Sequence, residues 1–178
     1  KTNAIIVEEK KELSEDKRIF ISMLPDGDSL KKLVLGKNGL LKNLKKNSIF
    51  IDCSSVDYNT TVIISEKMKK KGVHFLDSPV SGGISGAKNA TLTIMVGGNK
   101  KAFDKSKILL NTLGKNVIYV GKSGTGQIVK ACNNMMLGIN MLGVCEAFLL
   151  AKKYKIDLKK FYDITSKSSG SSWVMNTH

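Results

Sequence analysis

Three short apolar runs mark the first half of the chain: Arg18-Ile-Phe-Ile-Ser-Met23, Ser48-Ile-Phe-Ile-Asp52 and Val73-His-Phe-Leu-Asp77. Runs this short and this continuously apolar predict parallel strands buried on both faces. Helical patterns separate them. Asp28 to Leu35 and the stretch after Asn38 precede the second run; Asp57 to Lys71 precedes the third, with Asp57 placed to cap it. Strand, helix, strand, helix, strand is the order of a doubly wound α/β sheet. Two further strand-like runs, Thr91 to Val96 and Asn116 to Val120, enclose an amphipathic helix from Lys101 to Leu113. Beyond Gly126 the pattern is helical only. One helix reaches about Tyr154, another runs from Asp157 to Thr165, and a Ser/Gly-rich stretch follows from Ser166 to Ser172. The change of pattern predicts a domain boundary in the Gly121–Gly126 turn, dividing the chain into 1–122 and 123–178.

A chain of 178 residues with 42% hydrophobic content can bury a core. Its net charge of +14 invites a nucleic-acid partner, but the pattern of that charge points away from one. Of 29 basic residues only Arg18 is arginine, and the lysines are scattered along the whole chain. Nucleic-acid binding concentrates charge on one face and favours arginine. The dense run Lys67-Met-Lys-Lys-Lys71 falls at a predicted helix end, where cations suit the helix dipole. Cys53, Cys132 and Cys145 have no C-x-x-C spacing, and His74 and His178 are far apart, so neither a zinc site nor any other metal is expected. Met135 to Ala151 is the candidate membrane segment. It is shorter than a span and carries Asn140 and Glu146, which predicts a buried core helix and no membrane partner.

Candidate chemistry collects at two places. The residues just past the three parallel runs are Leu24-Pro25-Asp26-Gly27, Cys53-Ser54-Ser55 and Ser78-Pro79-Val80-Ser81-Gly82-Gly83. Parallel topology puts all three at one sheet edge, where open α/β sheets bind ligands. Loops of this composition also serve simply to close strands. Ser81-Gly82-Gly83 offers a hydroxyl and approachable backbone N–H groups, a combination that suits a carboxylate. The second place is Lys130, set on an apolar helix after the glycine-rich turn Gly121-Lys-Ser-Gly-Thr-Gly126. An unpaired ammonium in apolar surroundings costs several kcal/mol. Asn134 stands one turn on, about 6 Å further along the same face. A lysine snorkelling from a helix end would give the same pattern.

Two motifs carry a resemblance. Asp77-Ser-Pro-Val-Ser-Gly-Gly83, running on to Leu92-Thr-Ile-Met-Val-Gly-Gly98, resembles the substrate-binding signature of the β-hydroxyacid dehydrogenases. Gly124-Thr-Gly-Gln-Ile-Val-Lys130 with Asn133-Asn134 resembles that family's catalytic segment, and Ser168-Ser-Gly-Ser-Ser-Trp173 resembles its 3-hydroxyisobutyrate dehydrogenase branch. The resemblance implies a Rossmann-type dinucleotide-binding domain, a long interdomain helix and an all-helical second domain that makes the oligomer contact. It implies Lys130 as the catalytic lysine and Asn134 as the residue that steadies the substrate. Ser81, Gly82 and Gly83 would grip the substrate carboxylate, and Leu24, Pro25 and Ser55 would contact NAD, with NADP also possible. Ser55 stands where the branch has threonine, and Ala90 where the signature has glycine. No G-x-G-x-x-G precedes the first strand, so the sheet is expected to be incomplete and the chain an internal piece of a longer protein. The helical domain is expected to be only its beginning.

The activity implied is oxidation of 3-hydroxyisobutyrate to methylmalonate semialdehyde with NAD, Lys130 acting as general acid and base. Burial should lower its pKa, as a base requires. Close alternatives are reductases of tartronate semialdehyde, succinic semialdehyde or glyoxylate. A different class is a non-catalytic interaction module whose lysines meet phosphate. The partners implied are a small hydroxy acid and further copies of the chain, without nucleic acid. The compartment implied is the cytoplasm in a bacterium and the mitochondrial matrix in a eukaryote.

Overall fold

A computed structural model describes residues 18–177; His178 lies outside them. Strands β1 (Ile19–Ser22), β2 (Ile49–Asp52) and β3 (His74–Asp77) pair in parallel, with Phe20, Phe50 and Phe75 in register across the sheet. Their rings stack in turn, with centroids 6.5 and 6.1 Å apart. Helix α1 (Gly27–Leu35) starts on Asp26, whose carboxylate accepts from Ser29 N–H. Helix α2 (Tyr58–Lys70) starts on Asp57, which caps Thr60 N–H as its position predicts. Both helices bury apolar faces (Leu30 and Val34, Ile64 and Met68) in one cluster with the three phenylalanines.

The other face of β2 and β3 takes the alternate residues Ile49, Ile51 and Leu76 into a second cluster. That cluster is closed by β5 (Leu92–Gly98) and α4 (Lys100–Leu110). β1 departs from the double burial its sequence predicts: Ile19 and Ile21 are exposed. β1 ends the strand order of the described sheet, and only its Phe20 and Ser22 face is covered.

The second half of the sheet is mixed. Ser78 and Pro79 interrupt what would otherwise be one long strand, and β4 (Val80–Ser81) resumes it. β5 runs antiparallel to both pieces, pairing Gly97 and Gly98 with Asp77 and Leu76 and Thr93 and Ile94 with Ser81 and Val80. Short α3 (Gly83–Lys88) carries the chain from β4 back to β5. β6 (Gly114–Gly121) then adds in parallel to β5. The sheet order is therefore β1-β2-β3-β5-β6, with β4 beside the start of β5. A two-residue strand has no periodicity to read, so β4 leaves no trace in the hydrophobic pattern.

Contacts divide the chain into two compact units after Lys130, and helix α5 (Thr125–Lys153) crosses that division. In the second unit α6 (Leu158–Thr165) begins on Asp157, whose carboxylate accepts from Lys160 N–H, and α7 (Trp173–Thr177) follows. Phe148 and Phe161 meet edge to face with centroids 5.0 Å apart. The expectation of a buried core helix fails for α5. It is apolar and 29 residues long, yet Met135 is 61% exposed and Leu149 66%. The described residues bury few of its apolar side chains, Ala151 among them.

Ala90 occupies the left-handed region with φ +52°, a conformation that costs an L-residue with a Cβ about 1–2 kcal/mol. The turn keeps glycine-like geometry without glycine. Ala90→Gly is expected to raise unfolding free energy by roughly 1 kcal/mol in urea titrations; a lower value would mean that the turn relaxes around alanine.

Candidate active site

The carboxyl ends of β1, β2 and β3 each carry a polar residue facing the same side: Ser22, Asp52 and Asp77, in register across the strands. All three are buried. Ser22 and Ser54 hydroxyls donate to Asp52 Oδ1 at 2.7 and 2.6 Å, and Ser54 Oγ accepts from Leu24 N–H at 2.8 Å. The loop that holds Leu24 and Pro25 is thus fixed to the end of β2. Asp52 Oδ2 has no hydrogen-bond partner among the described residues. Burial raises the Asp52 pKa above its ordinary 3.8, against the pull of the two serines.

Asp77 holds the start of α5. Its Oδ1 accepts from Gly124 N–H at 2.8 Å and its Oδ2 from Gln127 N–H at 3.3 Å, with the Ser123 hydroxyl 3.4 Å from Oδ1. A carboxylate at a helix N-terminus satisfies donors that have no partner within the helix. The approach is so close that only glycine fits beside it. A Cβ on Gly126 would lie 2.8 Å from Asp77 Oδ2 and 2.5 Å from the Met95 carbonyl oxygen, and one on Gly97 would lie 2.6 Å from Asp77 Oδ2. Burial still raises the Asp77 pKa, opposed by the backbone N–H groups of Gly124, Gln127 and Gly126.

Gln127 ties this helix start to the second loop. Its Nε2 donates to the Ser54 carbonyl at 2.8 Å, and its Oε1 accepts from Val56 N–H at 3.2 Å. Lys130 follows by three residues on the same helix and is half-buried, and burial pushes its ammonium below the ordinary 10.5.

Among the other sequence-predicted residues, Pro25 and Ser55 are exposed at the strand ends and Leu24 is half-buried. Ser81 closes β4, paired with Thr93, and leads into Gly82 and Gly83, both exposed and at positive φ of 133° and 61°. Asn134 is exposed on α5, one helical turn beyond Lys130. The structure thus joins the Leu24 and Ser55 loops and the start of α5 through hydrogen bonds, whereas Ser81 to Gly83 are reached through the β3–β4 strand that also carries Asp77.

Sequence reading alone passed over three residues that do the joining: Asp52, Asp77 and Gln127. For the two acids, a carboxylate ending an apolar strand has to find donors within the fold, but nothing local names those donors, and Gln127 carries no such mark. Cys53, beside them, is inert: burial and the nearby Asp52 charge push its thiol up to about 12.

Comparison with known proteins identifies relatives of both parts of the chain. Residues 1–121 match the family profile described as the NAD binding domain of 6-phosphogluconate dehydrogenase. Residues 124–178 match the profile described as NAD-binding of NADP-dependent 3-hydroxyisobutyrate dehydrogenase. The chain is 38% identical to 3-hydroxyisobutyrate dehydrogenase of Pseudomonas aeruginosa over 164 residues, covering 92% of this chain and 55% of that one. It is 40% identical to the mitochondrial 3-hydroxyisobutyrate dehydrogenase of Mus musculus over 167 residues, covering 94% and 50%. The solved structure of the Mycobacterium tuberculosis 3-hydroxyisobutyrate dehydrogenase with L-serine superposes with a TM-score of 0.85 at 30% identity, over 94% of this chain and 56% of that one. The chain spans about half the length of the relatives it matches.

The buried Asp52 carboxyl gives a pH test with a definite sign. Its folded pKa lies above 3.8, so its favourable contribution is complete below that value and is lost as pH rises through the folded one. Asp52→Asn keeps an oxygen for the two serine hydroxyls and cannot ionise. The variant is expected to gain stability relative to the native protein as pH rises from about 4 to about 8. Denaturant titrations at each pH would show it, and a difference that stays constant with pH would contradict it.

Proposed function

The chain belongs to the β-hydroxyacid dehydrogenase family, whose 6-phosphogluconate and 3-hydroxyisobutyrate dehydrogenase profiles its two parts match, and we propose that it carries the catalytic lysine of an NAD(P)-dependent 3-hydroxyacid dehydrogenase that oxidises 3-hydroxyisobutyrate to methylmalonate semialdehyde. The observation that carries this reading is Lys130: a half-buried lysine with a lowered pKa, on a helix whose start is fixed to the strand ends by Asp77 and Gln127.

The residues at the strand ends suit a nicotinamide. Leu24 and Pro25 present apolar surface for a flat ring, on a backbone held by Ser54, and Ser55 adds an exposed hydroxyl. When bound, the cofactor supplies the hydride acceptor. The protein's own residues do the rest. Ser81 Oγ and the backbone N–H groups of Gly82 and Gly83 hold the substrate carboxylate, and glycine lets the ligand approach the backbone closely. Asn134 steadies the hydroxyl. Neutral Lys130 Nζ takes the hydroxyl proton as the C–H bond electrons leave as hydride, so the alcohol becomes an aldehyde and the lysine an ammonium. The reverse reaction returns that proton. An unperturbed lysine is mostly charged at neutral pH, so the lowered pKa enlarges the fraction that can act as base.

L-serine, named with the Mycobacterium tuberculosis structure, has the same carboxylate and primary hydroxyl as 3-hydroxyisobutyrate. This favours a second reading in which the site takes 3-hydroxy acids more broadly. Tartronate semialdehyde, succinic semialdehyde and glyoxylate remain substrates to compare in the reductive direction. Further copies of the chain as oligomer partners also belong to this proposal.

In the full-length protein, NAD reduction by 3-hydroxyisobutyrate is expected to rise with pH and level off below 10.5, the ordinary lysine value. Lys130→Ala is expected to lower kcat by about 10²–10⁴-fold, with KM changed far less. Near-normal turnover in that variant would remove Lys130 from the mechanism.

A further inference from the structure

The structure assigns Gln127 a role of its own: it is the positioning residue that sets the catalytic lysine against the cofactor loop. This rests on the dehydrogenase reading of Lys130 and deepens it.

Gln127 is 4% exposed, and both polar atoms of its amide are used on one short segment. Nε2 donates to the carbonyl of Ser54 and Oε1 accepts from the N–H of Val56. The two bonds bracket Ser55, so the amide clamps the backbone on either side of the residue proposed to meet the cofactor. At its other end the same residue is fixed by its own N–H on Asp77 Oδ2. Lys130 lies three residues on, which in a helix is the same face less than one turn away. A single side chain therefore connects the loop on the cofactor side with the helix turn that carries the base.

The chemistry of the clamp is restrictive. It needs a donor and an acceptor at one reach. Asparagine is a methylene too short, methionine has no donor and only a weak sulfur acceptor, and ionised glutamate lacks the donor for the Ser54 carbonyl. The chain of bonds extends further: Ser54 Oγ holds Leu24 N–H and donates to Asp52, which also takes the Ser22 hydroxyl. Displacing the clamp shifts the lysine relative to the carbinol without removing any group that touches substrate. Loss of alignment of about 1 Å costs on the order of 10²-fold in rate. Turnover should fall while binding stays.

The test uses the full-length protein with Gln127→Met, Gln127→Glu and Lys130→Ala, assayed by NAD reduction with 3-hydroxyisobutyrate across pH. Gln127→Met is expected to lose about 10- to 100-fold in kcat with KM for both substrates within about threefold of native. Gln127→Glu keeps the acceptor, and its carboxyl, buried and so raised in pKa, regains the donor when protonated. Its turnover relative to the native protein is therefore expected to be highest at low pH and to fall as pH rises. A purely structural glutamine would not give that profile. If Gln127→Met does not fold, as judged by circular dichroism, the glutamate profile decides alone, and a ratio constant with pH overturns the assignment. Both variants within twofold of native, with Lys130→Ala inactive, would overturn the role of Gln127 and leave the lysine reading intact. Lys130→Ala with native turnover would overturn the reading beneath it.

Discussion

The rest of the site depends on one buried carboxylate, Asp77. It ends β3, belongs to the same strand pairing that leads into Ser81, and receives the first backbone N–H groups of α5. A helix start leaves several N–H groups without partners, and inside a fold each must be satisfied. Asp77 takes two of them, from Gly124 and Gln127, where the sheet ends, which fixes where α5 begins and hence where Lys130 lies. Gly97 and Gly126 exist as glycines because any Cβ there would meet the carboxylate or the Met95 carbonyl. Two glycines, one acid and a strand register thus act as a single constraint.

A second buried acid extends the constraint across the sheet. Asp52 gathers Ser22 and Ser54, and Gln127 joins that group to the helix start. Burial of two carboxyls works against their ionisation. What the network supplies is geometry, since each bond fixes one loop or helix start against another. Partial burial on α5 lowers the pKa of Lys130 in its turn.

The α/β order was legible because β2 and β3 present apolar residues to two cores, giving unbroken runs, and because Asp57 is a recognisable cap. Parallel pairing of the first three strands followed. β4 was not legible, since two residues carry no period, and with it went the antiparallel turn of β5. The exposure of Ile19, Ile21 and much of α5 was not legible either, because hydrophobicity reports a need for cover and not what supplies it. At the site, Lys130 stood out as a cation on an apolar helix. Asp52, Asp77 and Gln127 did not, because their importance lies in contacts made 30 to 73 residues away along the chain. Such pairings have no local pattern.

The claim that Lys130 is the base of a hydride-transfer site is tested most directly by chemical rescue. Full-length Lys130→Ala would be assayed for NAD reduction by 3-hydroxyisobutyrate in the presence of small primary amines of graded basicity. An amine entering the space left by the lysine side chain should restore turnover in proportion to its free-base concentration, with stronger bases restoring more. Turnover unaffected by any amine, in a variant that still binds NAD and substrate, would contradict the account.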